Sequence, residues 1–280
     1  MFHSGFVAII GEPNAGKSTL LNRWVGENLA IVTPKAQTTR QSIRGIVNRS
    51  DAQIIFVDTP GFHESTKALN MYMIDQVKHS IANADVCCLL VAPDAPLSEI
   101  DQHLLAYAKE KRKPVVIAVN KCDAVKAPIS IEGALPISAL TGDGCDALLD
   151  ALVKELPESP PLYPDDIYTE HSERFLASEM IREVMLEEMH QELPYSAAVL
   201  IEEFKDKPEI TVIKASIVVE KDSQKAMVIG SRGSMIKLLG QEARKRIEKM
   251  LDRKVFLELF VRVEKNWTKD PKKVGEMGYE

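Results

Sequence analysis

Apolar and polar positions follow two rhythms along the first half of the chain. Short runs rich in aliphatic and β-branched residues, at Phe6–Ile10, Ala52–Val57, Val86–Ala92, Val115–Val119 and Leu135–Ile137, predict strands. Between them, apolar residues recur at helical spacing over Lys17–Val25, Asn70–Ala82, Ser98–Lys111 and Asp146–Leu156. Strand and helix in alternation predict an α/β fold, a doubly wound and mostly parallel sheet with helices on both faces.

The stretch Leu156–Asp166 breaks this pattern with four prolines, which remove backbone donors and fix φ where a helix or strand would need both. Beyond it the rhythm changes. A helical pattern spans Ser172–Gln191, strand-like runs follow at Ala197–Phe204 and Glu209–Glu220, and a glycine-interrupted apolar stretch, Met227–Gly240, leads into a helix to Met250 and a strand at Val255–Glu264. The expected organisation is a first domain over residues 1–156, a linker over 157–171 and an α+β domain over 172–280.

At 280 residues, 45% hydrophobic and 27% charged, the chain has a globular composition and the length of two domains. Its opening residues run straight into an apolar strand, leaving no room for a secretory leader, and no apolar segment reaches the ~18 residues of a membrane-spanning helix. Cys87, Cys88, Cys122 and Cys145 lack metal-ligand spacing, and the adjacent pair reads as small hydrophobes, so a cytoplasmic location is expected. The net charge of −6 is unevenly spread: residues 221–273 hold 15 Lys and Arg against 7 Asp and Glu. Such a segment on an otherwise acidic protein is either a solvated helical face or a nucleic-acid footprint.

Gly11-Glu12-Pro13-Asn14-Ala15-Gly16-Lys17-Ser18 follows a predicted strand and opens a predicted helix, the context of a phosphate-binding loop. Loop N–H groups and the positive end of the helix dipole face the phosphates, Lys17 reaches the β- and γ-phosphates, and Ser18, with Thr19 behind it, offers a hydroxyl to Mg²⁺. A P-loop NTPase of the Ras-like type is therefore expected, though this motif does not separate ATP from GTP. Asn120-Lys121-Cys122-Asp123 makes that separation: the Asp123 carboxylate can accept from the guanine N1–H and amino group, whereas adenine presents no donors so arranged. Asn120 braces the P-loop, Lys121 lies over the base, and a backbone N–H of Ser138-Ala139-Leu140 serves the guanine oxygen.

Asp58-Thr59-Pro60-Gly61 ends a strand, with Asp58 placed for the Mg²⁺ shell and Gly61 for the γ-phosphate. In Gln37-Thr38-Thr39-Arg40, Thr39 is favoured as the sensor of metal and γ-phosphate, with a shift of one residue left open. Lys17, Thr39 and Gly61 form the candidate catalytic set, and Ser18, Thr39 and Asp58 the metal ligands. Phe62 stands where many small GTPases carry a glutamine that orients the attacking water, so hydrolysis must rely on backbone, a metal ion or a partner and be slow. Asn14 either shapes the turn or helps hold K⁺, as in a related group of GTPases. His63 reads as a surface histidine.

In the second half, helix–strand–strand–helix–helix–strand with Gly230-Ser231-Arg232-Gly233 between the last two helices is the order of a type II KH RNA-binding module. Arg232, Lys237, Arg244 and Lys245 supply positive charge around the loop, and Met227, Ile229, Ile236 and Leu239 recur as an apolar face, mostly core.

These motifs, in this order and followed by a KH signature, resemble the Era GTPases over essentially residues 4–265. The resemblance extends to Glu179-Met180-Ile181-Arg182-Glu183 and Glu192-Leu193-Pro194-Tyr195. It implies a monomeric assembly factor of the 30S ribosomal subunit that cycles between GTP and GDP. Such a factor binds the 3′ end of 16S ribosomal RNA through the KH groove and associates peripherally with the inner membrane. One departure stands out: Asp123 to Ser138 is only fifteen positions, with Pro128 and Gly133 inside it, so the helix that the family carries there should be missing. A parallel crossover still fits, since about a dozen residues suffice. The competing readings are a GTPase of tRNA modification or another ribosomal branch, against which the KH segment argues, and a membrane GTPase, for which no long basic amphipathic helix is present.

Overall fold

The structure is a computed structural model that describes residues 1–33, 35, 38–61, 67–189 and 193–279. Gln37, Phe62, His63 and Glu192, singled out above, lie outside the described residues. The chain forms two compact units, the second beginning in the main at His171.

In the first unit, β1 (His3–Gly11), β3 (Ala52–Asp58), β4 (Val86–Val91), β5 (Val115–Val119) and β6 (Leu135–Pro136) are parallel, and β2 (Ile43–Asn48) pairs antiparallel with β3 at the edge. The order is β2-β3-β1-β4-β5-β6. The helices are α1 (Lys17–Val25), α2 (Ala68–Asn83), α3 (Glu99–Glu110) and α4 (Cys145–Glu155). β3 and β4 are buried at every position, which is why, apart from Gln53 and Asp58 of β3, their sequences are apolar rather than alternating. Cys87 and Cys88 are both wholly buried in β4, and burial pushes the Cys87 thiol up to about 12, so they serve as packing groups. Ser98 and Asp101 cap α3 reciprocally, each side chain accepting from the other's backbone N–H at 3.1 Å.

β2 was not foreseen. Its sequence, Ile43-Arg44-Gly45-Ile46-Val47-Asn48, is short and broken by a polar residue and a glycine, so it does not announce a strand, yet Gly45 has no room for a side chain: a Cβ would lie 2.6 Å from Val25 and 2.8 Å from Leu21. The proline-rich stretch read as a linker is tied to this unit along its length. Ile46 N–H donates to Tyr168 O, and the Thr169 hydroxyl to Arg44 O. Gln53, wholly buried, donates to Asn48 Oδ1 and Tyr163 O and accepts from the N–H groups of Leu162 and Tyr163, all at 2.7–2.9 Å. The segment thus straps the otherwise open edge of β2.

Residues 125–134, between β5 and β6, contain no helix. Instead Ile129 and Ile131 pack against the core beside α3 and β4, and Ile129 N–H donates to Pro93 O at 2.7 Å.

The second unit runs α5 (Glu173–Glu188), β7 (Ala198–Asp206), β8 (Thr211–Val219), α6 (Asp222–Ile229), α7 (Ser234–Leu251), β9 (Val255–Val263) and α8 (Pro271–Glu276). β7 is antiparallel and β9 parallel to β8. Ala177, Ile181 and Val184 of α5 and Leu239, Ala243 and Ile247 of α7 bury against one face of this sheet. The short α8 was not read from sequence; it follows Trp267, whose wholly buried indole donates to Ser196 O at 2.9 Å and stacks on Tyr279. Among the described residues no helix is long and apolar enough to cross a membrane.

Candidate functional site

β1 is the central strand of the first sheet, so the loop leaving its carboxyl end emerges at the middle of that edge, where ligands bind in open α/β folds. The loop Glu12–Gly16 turns directly into α1. Asn14 takes the left-handed conformation (φ 62°), and Gly16 (φ 99°) passes so close to Asn120 that a Cβ would lie 2.2 Å from its amide nitrogen.

Lys17, buried at the first position of α1, donates to the carbonyls of Gly11 (3.1 Å) and Glu12 (2.7 Å). Burial lowers its pKa to about 8, against the opposing pull of Asp58, Glu12 and Asp101. Asp58, at the end of β3, is wholly buried, and its carboxyl is raised by that burial to about 6 despite Lys17 and two hydroxyl donors. Those donors are Ser18 Oγ at 2.7 Å and Thr39 Oγ1 at 3.1 Å, both on Asp58 Oδ2, with the two hydroxyls 3.0 Å apart. Asp58 Oδ1 is buried with no partner among the described residues. It is Thr39 that joins this cluster, whereas the Thr38 hydroxyl turns back to Lys35 O. Three oxygen groups converging around an orphaned buried carboxylate oxygen are the donor set of a hard divalent cation such as Mg²⁺.

Thr59 anchors the end of β3 by donating to Ile9 O at 2.7 Å, and after Pro60 the chain at Gly61 runs against the P-loop, where a Cβ would meet Pro13 Cα at 2.7 Å. A cavity of about 390 Å³ opens here, lined by Pro13, Gly16, Lys17, Thr39, Gly61 and Lys121 among others. Ser18 and Thr19 line it from the next two positions of α1.

The base-side residues follow β5. Asn120, nearly wholly buried, donates through Nδ2 to Ala15 O at 2.7 Å and accepts at Oδ1 from Ala139 N–H at 2.9 Å, joining the P-loop to the Ser138-Ala139-Leu140 turn. Lys121 (φ 61°) starts a 3-10 turn that holds Asp123 with its carboxylate exposed. Ser138 and Ala139 are buried and Leu140 is exposed. Arg23, on the last turn of α1, was not singled out from sequence. Its guanidinium reaches the same turn across 116 positions, a separation that leaves no local pattern to read.

In the second unit, α6 ends at Ile229, and Gly230 (φ 72°), Arg232 (φ 51°) and Gly233 (φ 80°) take positive φ before α7 begins. Ser231 and Arg232 stand exposed at the tip. Lys237 and Arg244 are exposed seven positions apart on α7, opposite the stripe of Leu239, Ala243 and Ile247 that faces the core. Lys245 pairs with Glu242 at 2.6 Å and Arg244 lies 4.0 Å from Glu248, while Arg232 and Lys237 make no ion pair among the described residues. Of the expected apolar face, Leu239 is core, whereas Met227 is exposed beside the loop.

Residues 6–121 match the family model described as 50S ribosome-binding GTPase, and residues 192–268 match the KH domain. Fold and matches together define a P-loop GTPase domain followed by a KH domain. Over its whole length the chain is 43% identical to the GTPase Era of Geotalea daltonii, covering 98% of that protein, and 45% identical to that of Syntrophus aciditrophicus, covering 96%. Among solved structures it is similar to a variant of Aquifex aeolicus Era bound to GDP·AlF4⁻ (37% identity, TM-score 0.94, 99% of each chain covered). It is likewise similar to Era in complex with MgGDPNP and nucleotides 1506–1542 of 16S ribosomal RNA (36% identity, TM-score 0.95, 100% of this chain and 99% of that one). The chain belongs to the Era family of GTPases.

Proposed function

We propose that this GTPase is a switch that binds the 3′ end of 16S ribosomal RNA through its KH domain and assists assembly of the 30S subunit. The observation that supports the switch most directly is that the Thr39 and Ser18 hydroxyls donate to the same Asp58 oxygen and lie 3.0 Å apart, which brings the segment before β2 together with the P-loop helix and the end of β3. In this reading Ser18, Thr39 and Asp58 hold Mg²⁺, which when bound neutralises charge on the nucleotide phosphates. Lys17 leaves the Gly11 and Glu12 carbonyls for the β- and γ-phosphates, Gly61 offers backbone to the γ-phosphate, and Asp123 with the 138–140 turn reads guanine. Hydrolysis of GTP to GDP and phosphate then releases the Thr39 and Gly61 segments.

Phe62 carries no group that can hydrogen-bond water, so intrinsic turnover is slow, and Asn14 helps hold a K⁺ ion at the P-loop. The exposed Gly230–Gly233 loop lets an RNA phosphate approach backbone, with Arg232, Lys237, Arg244 and Lys245 around it. The protein acts as a cytoplasmic monomer with peripheral association at the inner membrane. Sedimentation with purified small subunits, large subunits or liposomes tests the reading. Co-pelleting with small subunits, stronger with a non-hydrolysable GTP analogue than with GDP, is expected; pelleting only with large subunits or only with liposomes refutes it.

A further inference from the structure

The guanidinium of Arg23 holds two successive carbonyls of the turn after β6. Its Nε donates to Ala139 O at 2.6 Å and its Nη2 to Leu140 O. The turn passes close beside it: Gly142, whose φ of 100° favours glycine, lies where a Cβ would be 2.7 Å from Arg23 Nη1. A basic residue in the last turn of a helix ordinarily serves that helix's own carbonyls, but this one reaches across to another element.

A planar trans peptide points its N–H opposite to its C=O. Drawing Ala139 O toward α1 therefore turns the Leu140 N–H away from α1, and drawing Leu140 O the same way turns the Thr141 N–H away from α1 as well, where it donates to Ser138 Oγ at 3.0 Å. Ala139 N–H is already committed to Asn120 Oδ1. Leu140 N–H has no partner among the described residues, and Leu140 is 71% exposed. The turn thus presents one oriented, unused donor, and Arg23 sets its direction.

We propose that Arg23 is a positioning residue for guanine recognition: by clamping the Ala139 and Leu140 carbonyls to the helix that carries Lys17 and Ser18, it aims the Leu140 N–H at the guanine carbonyl oxygen. This rests on the reading of the site as a guanine site. It also makes base recognition and phosphate binding share one rigid element, since Arg23 and Lys17 lie on the same nine-residue helix.

The test uses the full chain and three nucleotides near pH 7: GTP, 6-thioguanosine triphosphate and ATP. The thio analogue keeps the N1–H and amino group that Asp123 reads but replaces the carbonyl oxygen with a weaker acceptor. Wild-type protein should bind GTP about tenfold more tightly than the thio analogue, the effect of one hydrogen bond. Arg23→Met, which keeps the aliphatic stem, should weaken GTP binding by about the same factor, leave the thio analogue nearly unchanged, and bring the ratio close to one. Arg23→Lys, with one donor restored, should fall between. Equal weakening of both nucleotides by Arg23→Met, or no weakening of either, overturns the proposal. Wild-type protein that binds ATP as well as GTP would instead overturn the guanine site itself.

Discussion

Replacing Asn120 by alanine should loosen the P-loop and the guanine turn together. The side chain makes two buried hydrogen bonds, 2.7 Å to Ala15 O and 2.9 Å from Ala139 N–H. Each neutral bond contributes about 0.5–1.5 kcal/mol, and a buried group left without its partner costs about 1–3 kcal/mol. Water can enter the truncated site from the exposed turn beside it, so the lower part of that range applies and a total loss of about 2–3 kcal/mol is expected. Without nucleotide this loss appears as reduced stability toward urea. A bound nucleotide spans both loops and must restore their order, so much of the same energy is withdrawn from binding. At about 1.4 kcal/mol per decade, GDP and GTP should each bind roughly 30-fold more weakly. The measurements are urea unfolding of the nucleotide-free protein and titration with a fluorescent GDP analogue, with GTP and xanthosine triphosphate as competitors. Stability and affinity both within threefold of wild type would refute the coupling of the two loops through Asn120. A loss much larger for GTP than for the xanthine nucleotide would show that Asn120 discriminates bases instead.

Asp123→Asn should shift preference from GTP to xanthosine triphosphate, because the amide donates to a carbonyl where the carboxylate accepted from an amino group; competition binding reads it, and a variant that still prefers GTP defeats the assignment. GTP hydrolysis should be slow and faster in K⁺ than in Na⁺, and Asn14→Ala should lose the difference; equal wild-type rates in the two salts would remove the metal ion from the P-loop reading. Changing Ser231 and Arg232 together to Asp should abolish binding of an oligonucleotide from the 3′ end of 16S ribosomal RNA while GTP binding stays intact. For wild type, about four neutralised phosphates at roughly −0.7 each give a slope near −3 for log K against log salt, and undiminished RNA affinity in the folded double variant would exclude the Gly230–Gly233 loop.

The nucleotide site was legible because its side chains sit in short contiguous stretches whose backbone shape demands particular residues. Gly16 is an instance: it has no room for a Cβ against Asn120, and the requirement leaves its mark in sequence. Whether Thr38 or Thr39 meets Ser18 was not decidable from spacing, since it depends on the path between α1 and β2. β2 escaped because a weak edge strand gains its stability from partners on both sides, one of them more than 100 positions downstream. The Arg23 clamp and the burial of Trp267 escaped for the same reason: each is a long-range contact of a single side chain. The missing helix between Asp123 and Ser138 was legible by length, but not the way Ile129 and Ile131 cover the core in its place.

The strap over β2 changes where the molecule can be divided. A fragment ending at Leu156, where the regular elements stop, would strip Gln53 of all but its bond to Asn48 and bare the N–H of Ile46 and the C=O of Arg44 along an unguarded edge. Such an edge recruits strands from other copies, so that fragment should self-associate, whereas one extended to Glu170 carries its own guard. The prolines that seem to advertise a hinge are what keep this guard from becoming a strand itself: Pro160, Pro161 and Pro164 have no N–H to offer a further chain.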